Sequence, residues 1–156
     1  MSDDLALEVP GELLLGGPES GELLVLQEPL SFWGGVDEEN GAIIDAHHPQ
    51  YGVRLAGKIV LMRGSRGSSS SSSVLLECIR RGTAPRALLL TDPDPLLSAG
   101  SAAAQELYGH CCAIVGIDSD VLPGAATWAS VAADGTVRFV VNGPRQGDLP
   151  GDVVGG

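Results

Sequence analysis

The fold turns on Lys58-Ile59-Val60-Leu61-Met62-Arg63-Gly64-Ser65-Arg66-Gly67-Ser68-Ser69-Ser70-Ser71-Ser72-Ser73-Val74-Leu75-Leu76-Glu77-Cys78-Ile79-Arg80-Arg81-Gly82. It opens on an unbroken apolar run, Ile59 to Met62, just after Gly57 and Lys58. Such a run bounded by turn residues predicts a buried strand. The far end predicts a helix: Val74, Leu75, Cys78 and Ile79 share one face. Arg80-Arg81 sits in its last turn and Gly82 follows as a stop. Between strand and helix lie Gly64, Gly67 and the serines Ser68 to Ser73.

Taken out of context, a serine tract is a flexible linker. Here it joins a buried strand to an amphipathic helix, which predicts a glycine-containing turn whose serines enter the helix. Gly64 and Gly67 permit close backbone approach, and the first serines are suited to cap the helix. A helix start of this kind favours an anion, with Arg66 or Arg63 as further donors for a carboxylate or phosphate. The Gly-Lys-Ser/Thr ending of a nucleotide-binding P-loop is absent. No Gly-x-Ser-x-Gly elbow exists either, so a hydrolase triad has weak support. A serine in this loop becomes a useful base once backbone N–H groups, the helix start and an arginine stabilise its alkoxide. His47, His48 and His110 are the other candidate bases, with no spacing that sets their geometry.

Downstream, Ala87 to Leu90 predicts a second buried strand, Leu96 to Tyr108 a helix ending at Gly109, and Ala113 to Ile117 a third strand. Asp92-Pro93-Asp94-Pro95 is a turn. Upstream, Glu12–Leu15 and Glu22–Gln27 read as strands split by Gly16-Gly17-Pro18. Asn40-Gly41 is a turn signal, with Ala42–Asp45 read as a strand after it. Thr127–Ala132 and Thr136–Val141 flank Asp134-Gly135 as a hairpin. The fold class expected is α/β, with a β-rich outer layer and a central parallel strand–helix–strand layer. One domain is expected over 1–156, with 1–10 a frayed start and 143–156 trailing off.

The chain has 156 residues, 44% of them hydrophobic and only 4% aromatic, so its core must be aliphatic. It carries 20 acids against 9 bases, a net charge of −11. The imbalance is local: 11 acids and no Lys or Arg lie in 1–53, and 9 of each sign lie in 54–156. That disfavours nucleic-acid backbones and anionic membranes, and implies an acidic N-terminal face apposed to a partner. No apolar run approaches the ~18 residues of a membrane span. The acidic start Met1-Ser2-Asp3-Asp4 lacks the basic start of a signal peptide, so a soluble, cytoplasmic protein is expected. Three cysteines, Cys78, Cys111 and Cys112, make a poor disulfide framework and agree with a reducing compartment.

Several stretches together resemble the aconitase X swivel domain. They are Leu30-Ser31-Phe32-Trp33-Gly34-Gly35-Val36-Asp37, Gly41-Ala42-Ile43-Ile44-Asp45, His47-His48-Pro49, Gly57 to Met62, and Arg66-Gly67 with the serines that follow. Leu75-Leu76-Glu77, Gly82-Thr83-Ala84-Pro85 and Glu106-Leu107-Tyr108-Gly109 continue the likeness, which spans roughly 22–140.

The resemblance implies a swivelling β/β/α domain. It would be the small subunit of a hydro-lyase, docked on a large subunit that carries an iron–sulfur cluster. It implies Ser68 as proton acceptor, with Arg66, Gly67, Ser69 and Ser70 as substrate-binding candidates. The long serine run and Phe32-Trp33-Gly34-Gly35 look like the bacterial branch, which implies cis-3-hydroxy-L-proline as substrate and a heterodimer with a separate large subunit. The phosphomevalonate dehydratase small subunit is the alternative within the family. A stand-alone anion-binding or regulatory module without catalysis is the alternative outside it.

No metal site is expected on this chain. Cys78 belongs to the apolar helix face, Cys111-Cys112 opens a buried strand, and no Cys-x-x-Cys spacing exists. His47-His48-Pro49 lacks the partners of a zinc site. For Phe32-Trp33-Gly34-Gly35, core packing and an interface or active-site role both remain open.

Overall fold

The computed structural model describes residues 4–63 and 70–143. In chain order the elements are β1 (Asp4–Val9), β2 (Gly11–Leu15), β3 (Glu19–Val25), α1 (Phe32–Gly35), β4 (Ile59–Met62), α2 (Ser71–Arg81), β5 (Ala87–Leu90), α3 (Pro95–Tyr108), β6 (Ala113–Ile117), β7 (Trp128–Val131) and β8 (Val137–Val141). The fold is mixed α/β, with the eight strands ordered β1-β8-β7-β3-β4-β5-β6-β2.

The centre is parallel. β4 pairs with β5 (Ile59 opposite Ala87), and β5 pairs with β6 (Ala87 opposite Ala113). The connections between them are α2 and α3, the crossover that parallel neighbours require. β3 joins two pairing regimes. Its Glu19–Glu22 half runs antiparallel to β7, and its Leu23–Val25 half runs parallel to β4. β1 and β2 form the two ends of the strand order, yet only Pro10 separates them in the chain. The sheet therefore curls until its edges meet.

That curl makes two cores from one set of strands, because side chains alternate across a sheet. Val60, Met62, Leu88, Leu90 and Ile114 face Val74, Leu75, Cys78, Ile79, Leu97 and Ala104 of the helices. Ile59, Leu61, Leu89 and Val115 face Ala129, Val131, Val137 and Phe139 of the antiparallel layer. This is a β/β/α stack, and it explains why β4 and β5 are apolar at every position.

Two readings of the sequence are corrected. Asp4–Val9, expected within a frayed start, is strand β1, paired antiparallel with β8 from Asp4–Val141 to Val9–Val137. Its Leu7 and Val9 pack on the second core, which offsets the cost of ordering a chain end. Ala42–Asp45 is not a regular strand. It contributes only isolated bridges, Val36–Ile43 and Ala42–Arg54, within a laced loop.

Candidate functional site

The C-terminal ends of β3, β4, β5 and β6 lie on one edge of the parallel layer, because β3, β5 and β6 all run parallel with the β4–β5 pair. In open α/β sheets this is the edge where ligands bind. Four loops emerge there: 26–31 after β3, the serine loop after β4, 91–94 after β5, and 118–127 after β6.

Of the predicted site residues, Arg66, Gly67, Ser68 and Ser69 lie outside the described residues. Ser70 is described and is the N-cap of α2. Ser71, Ser72 and Ser73 are the first helical residues, and Ser71 is buried, so the serine run does enter the helix. Ser70 has right-handed helical backbone (φ −84, ψ −9) and its side chain makes no capping bond. The helix closes at Gly82, left-handed at φ 78, whose N–H reaches the Cys78 and Ile79 carbonyls.

Neighbours hold this helix start in position. A Cβ on Gly100 of α3 would fall 2.5 Å from the Ser72 carbonyl oxygen and 2.9 Å from its Cα. Only a residue without a side chain lets α3 approach the first turn of α2 that closely. Just after β4, the Arg63 guanidinium donates from Nη1 to the Ser119 carbonyl at 2.8 Å and from Nη2 to the Val121 carbonyl. Arg63, an alternative anion donor in the sequence reading, instead ties the root of the serine loop to the loop after β6. Gly100 carried no motif and escaped sequence reasoning. Its one signal was a run of small residues, Ala99 to Ala104, within the expected helix.

A second loop system completes the edge. Gln50 Nε2 donates to the Val25 carbonyl at 2.9 Å, and its Oε1 accepts the Gln27 N–H at 2.9 Å. His48 is buried: Nδ1 accepts the Gln50 N–H at 3.1 Å, and Nε2 lies 3.0 Å from the Glu28 carbonyl. The Nε2–H tautomer satisfies both, so His48 is a structural loop residue. His47 is exposed, and its N–H donates to Asp45 Oδ1 at 2.9 Å. His110 follows α3 at the opposite edge, with Nε2 3.2 Å from the Ile79 carbonyl and Nδ1 3.2 Å from that of Tyr108. None of the three histidines is brought to the serine loop by these bonds. Phe32 and Trp33 divide their roles: Phe32 is in the core, and Trp33 is 59% exposed.

Burial pushes the Cys78 thiol up to about 11. Burial also raises Cys112 well above the ordinary thiol range and raises Cys111. With no metal beside them these cysteines stay thiols, inert as nucleophiles. Among the described residues no three His, Cys, Asp or Glu side chains converge as a metal site. No helix among them is long and apolar enough to cross a membrane.

The profile of the aconitase X swivel domain matches residues 8–139. The chain is 44% identical over 133 residues to the cis-3-hydroxy-L-proline dehydratase of Pseudomonas aeruginosa, which covers 84% of this chain. The chain spans only 23% of that relative's length. It is 37% identical over 98 residues to the phosphomevalonate dehydratase small subunit of Methanothermobacter thermautotrophicus, covering 63% of this chain and 75% of the relative. In three dimensions it is similar to the crystal structure of Thermococcus kodakaraensis aconitase X in its holo-form. That likeness has a TM-score of 0.74 at 28% identity, over 85% of this chain and 98% of that one.

Proposed function

The chain belongs to the aconitase X swivel domain family, and from that premise we propose that it is the small subunit of an aconitase X-type hydro-lyase acting on cis-3-hydroxy-L-proline. The observation that carries the substrate is the 44% identity to a cis-3-hydroxy-L-proline dehydratase across 84% of the chain. The geometry of the edge supports the chemistry. A serine-rich loop leaves a buried parallel strand and runs into the start of a helix that faces the ligand-binding side of the layer.

In this reading Ser68 removes the proton α to the substrate carboxylate, and the 3-hydroxyl leaves as water to give a pyrroline carboxylate. Ser68 stands two residues before the N-cap Ser70 in the sequence, and in this reading its alkoxide is stabilised by backbone N–H groups at a helix start. Arg66, Gly67, Ser69 and Ser70 serve the carboxylate. In this reading the iron–sulfur cluster of the family is held by the partner large subunit; among the described residues of this chain no three His, Cys, Asp or Glu side chains converge to hold one.

A second substrate, mevalonate 5-phosphate, is favoured by one observation. The chain is 37% identical to a phosphomevalonate dehydratase small subunit over 75% of that relative's length.

The test is an anaerobic dehydratase assay of the chain with its large subunit on both substrates. Turnover of cis-3-hydroxy-L-proline is expected. Ser68→Ala should assemble normally and lose roughly 100- to 10,000-fold in turnover. Full turnover by that variant overturns the base assignment. Turnover of mevalonate 5-phosphate alone replaces the substrate.

A further inference from the structure

At the edge opposite the C-terminal ends of the parallel strands lies an open cavity of about 470 Å³. It sits where the turn between β2 and β3 meets the end of α3 and the segment that leads into β6. Leu15, Gly16, Gly17 and Glu19 line one side, and Gln105, His110 and Cys111 line the other. Its volume falls in the range of small-molecule sites. The walls are held in place. Gly16 has φ +90, and a Cβ there would fall 2.9 Å from the Ala113 Cα and 3.5 Å from the Cys111 Sγ, so the turn rests directly on the start of β6. The His110 ring is fixed between the Ile79 and Tyr108 carbonyls. A Cβ on Gly17 meets nothing within 4 Å, which leaves that side open.

The lining favours positive charge. Glu19 is half-buried, and its carboxyl makes no hydrogen bond or ion pair among the described residues. Burial raises it, and the charge of Arg86, exposed just before β5, offsets only part of that effect. No Lys or Arg lines the cavity. The 14-residue α3 ends here with no basic residue in its last turn, so the negative end of its dipole has no cation from its own helix. Acceptors are at hand as well. The exposed Gln105 amide has no partner among the described residues, and the Gly16 and Gly17 carbonyls accept no main-chain bond there. A bare metal ion does not suit this lining, because no three His, Cys, Asp or Glu side chains converge among the described residues.

We infer that this cavity binds a small organic ammonium ion. Glu19 supplies the counter-charge, the Gln105 amide oxygen accepts an ammonium N–H, and Leu15 covers the carbon chain. The half-buried carboxyl gains from such a ligand what an exposed one would not, because an ion pair strengthens as water is excluded from it. The site lies at the other edge from the proposed dehydratase chemistry and does not depend on it.

The test follows backbone amide NMR shifts of the complete chain, at constant ionic strength, as n-butylammonium chloride is added. Sodium butyrate, of equal length and opposite charge, is the control. Saturable shifts at Gly16, Gly17, Glu19 and Cys111 are expected with butylammonium and none with butyrate. Glu19→Gln should raise the dissociation constant roughly 10- to 100-fold, and Gln105→Ala roughly 2- to 10-fold. Glu12→Gln, which removes an exposed acid of β2 outside the cavity, should leave it unchanged. The amide spectrum of each variant reports whether the fold is kept. Gln105 is exposed on a helix, so its variant decides the matter if Glu19→Gln does not fold. Shifts that rise without saturating, equal shifts from butyrate, or equal weakening by Glu12→Gln mean attraction to an acidic surface only, and overturn the site.

Discussion

α2 and α3 start at the same edge and pack against each other, yet they begin in opposite ways. α3 opens on Asp94, whose Oδ1 accepts the Leu96 N–H at 2.9 Å, with Pro95 in its first turn. Its start is fastened by its own residues. α2 opens on Ser70 with helical backbone and no side-chain capping bond. Its start is packed from outside, by Gly100 of α3 against the Ser72 backbone. The difference teaches where each helix is committed. α3 carries its own fastening in Asp94, whereas the first turn of α2 depends on how closely α3 packs against it.

The largest expected effect breaks the external support. In Gly100→Ala the new methyl meets the Ser72 backbone, which cannot give as a flexible side-chain tip would. Overpacking of this kind costs about 1–3 kcal/mol, and a shift near 1 Å at a catalytic loop costs roughly 100-fold in rate. Chemical denaturation and the dehydratase assay of the complex should both register it. Unchanged turnover would mean that α2 is not positioned by α3.

Asp94→Ala sharpens the contrast at lower magnitude. Removing the cap should cost about 1–2 kcal/mol in denaturation, with turnover of the assembled enzyme nearly unaltered. Asp94→Asn should recover much of the loss, because asparagine also accepts the Leu96 N–H. A large fall in turnover with intact stability would move Asp94 from fastening to chemistry.

The smallest effect concerns the other end of α2. Hydrogen bonds from Arg80 and Arg81 hold the Glu77 carboxyl down at about 2, from an ordinary 4.5. A depressed carboxyl stabilises the fold above its unfolded value and loses that contribution as pH falls toward the folded one. The window is therefore about pH 4.5 to 2. Glu77 is solvent-screened, so Glu77→Gln should flatten acid unfolding only slightly there, and less in high salt. A large effect at pH 7 would mean that this pair is structural to α2.

Much of the architecture was legible. Ala87–Leu90 and Ala113–Ile117 appear with the limits read from their apolar runs, and α3 differs by one residue at its start. Asp134-Gly135 does turn between β7 and β8. β1 was missed although Leu5, Leu7 and Val9 alternate, because an acidic chain end next to Pro10 reads equally well as a frayed start. Ala42–Asp45 was overread, because β-branched residues after a turn signal need a neighbouring strand to pair with, and here only single bridges form.

By itself the sequence determined the element types, the buried faces and the family, because periodicity and motif spacing are local properties of the chain. Tertiary structure alone decided that β3 serves two layers, that Pro10 joins the two ends of the sheet, and that Arg63 reaches carbonyls more than fifty residues away. It also decided that Phe32 is covered while Trp33 is bare. Each of these depends on which distant segments meet, and that is set by packing both faces of one curled sheet rather than by any residue's own preference.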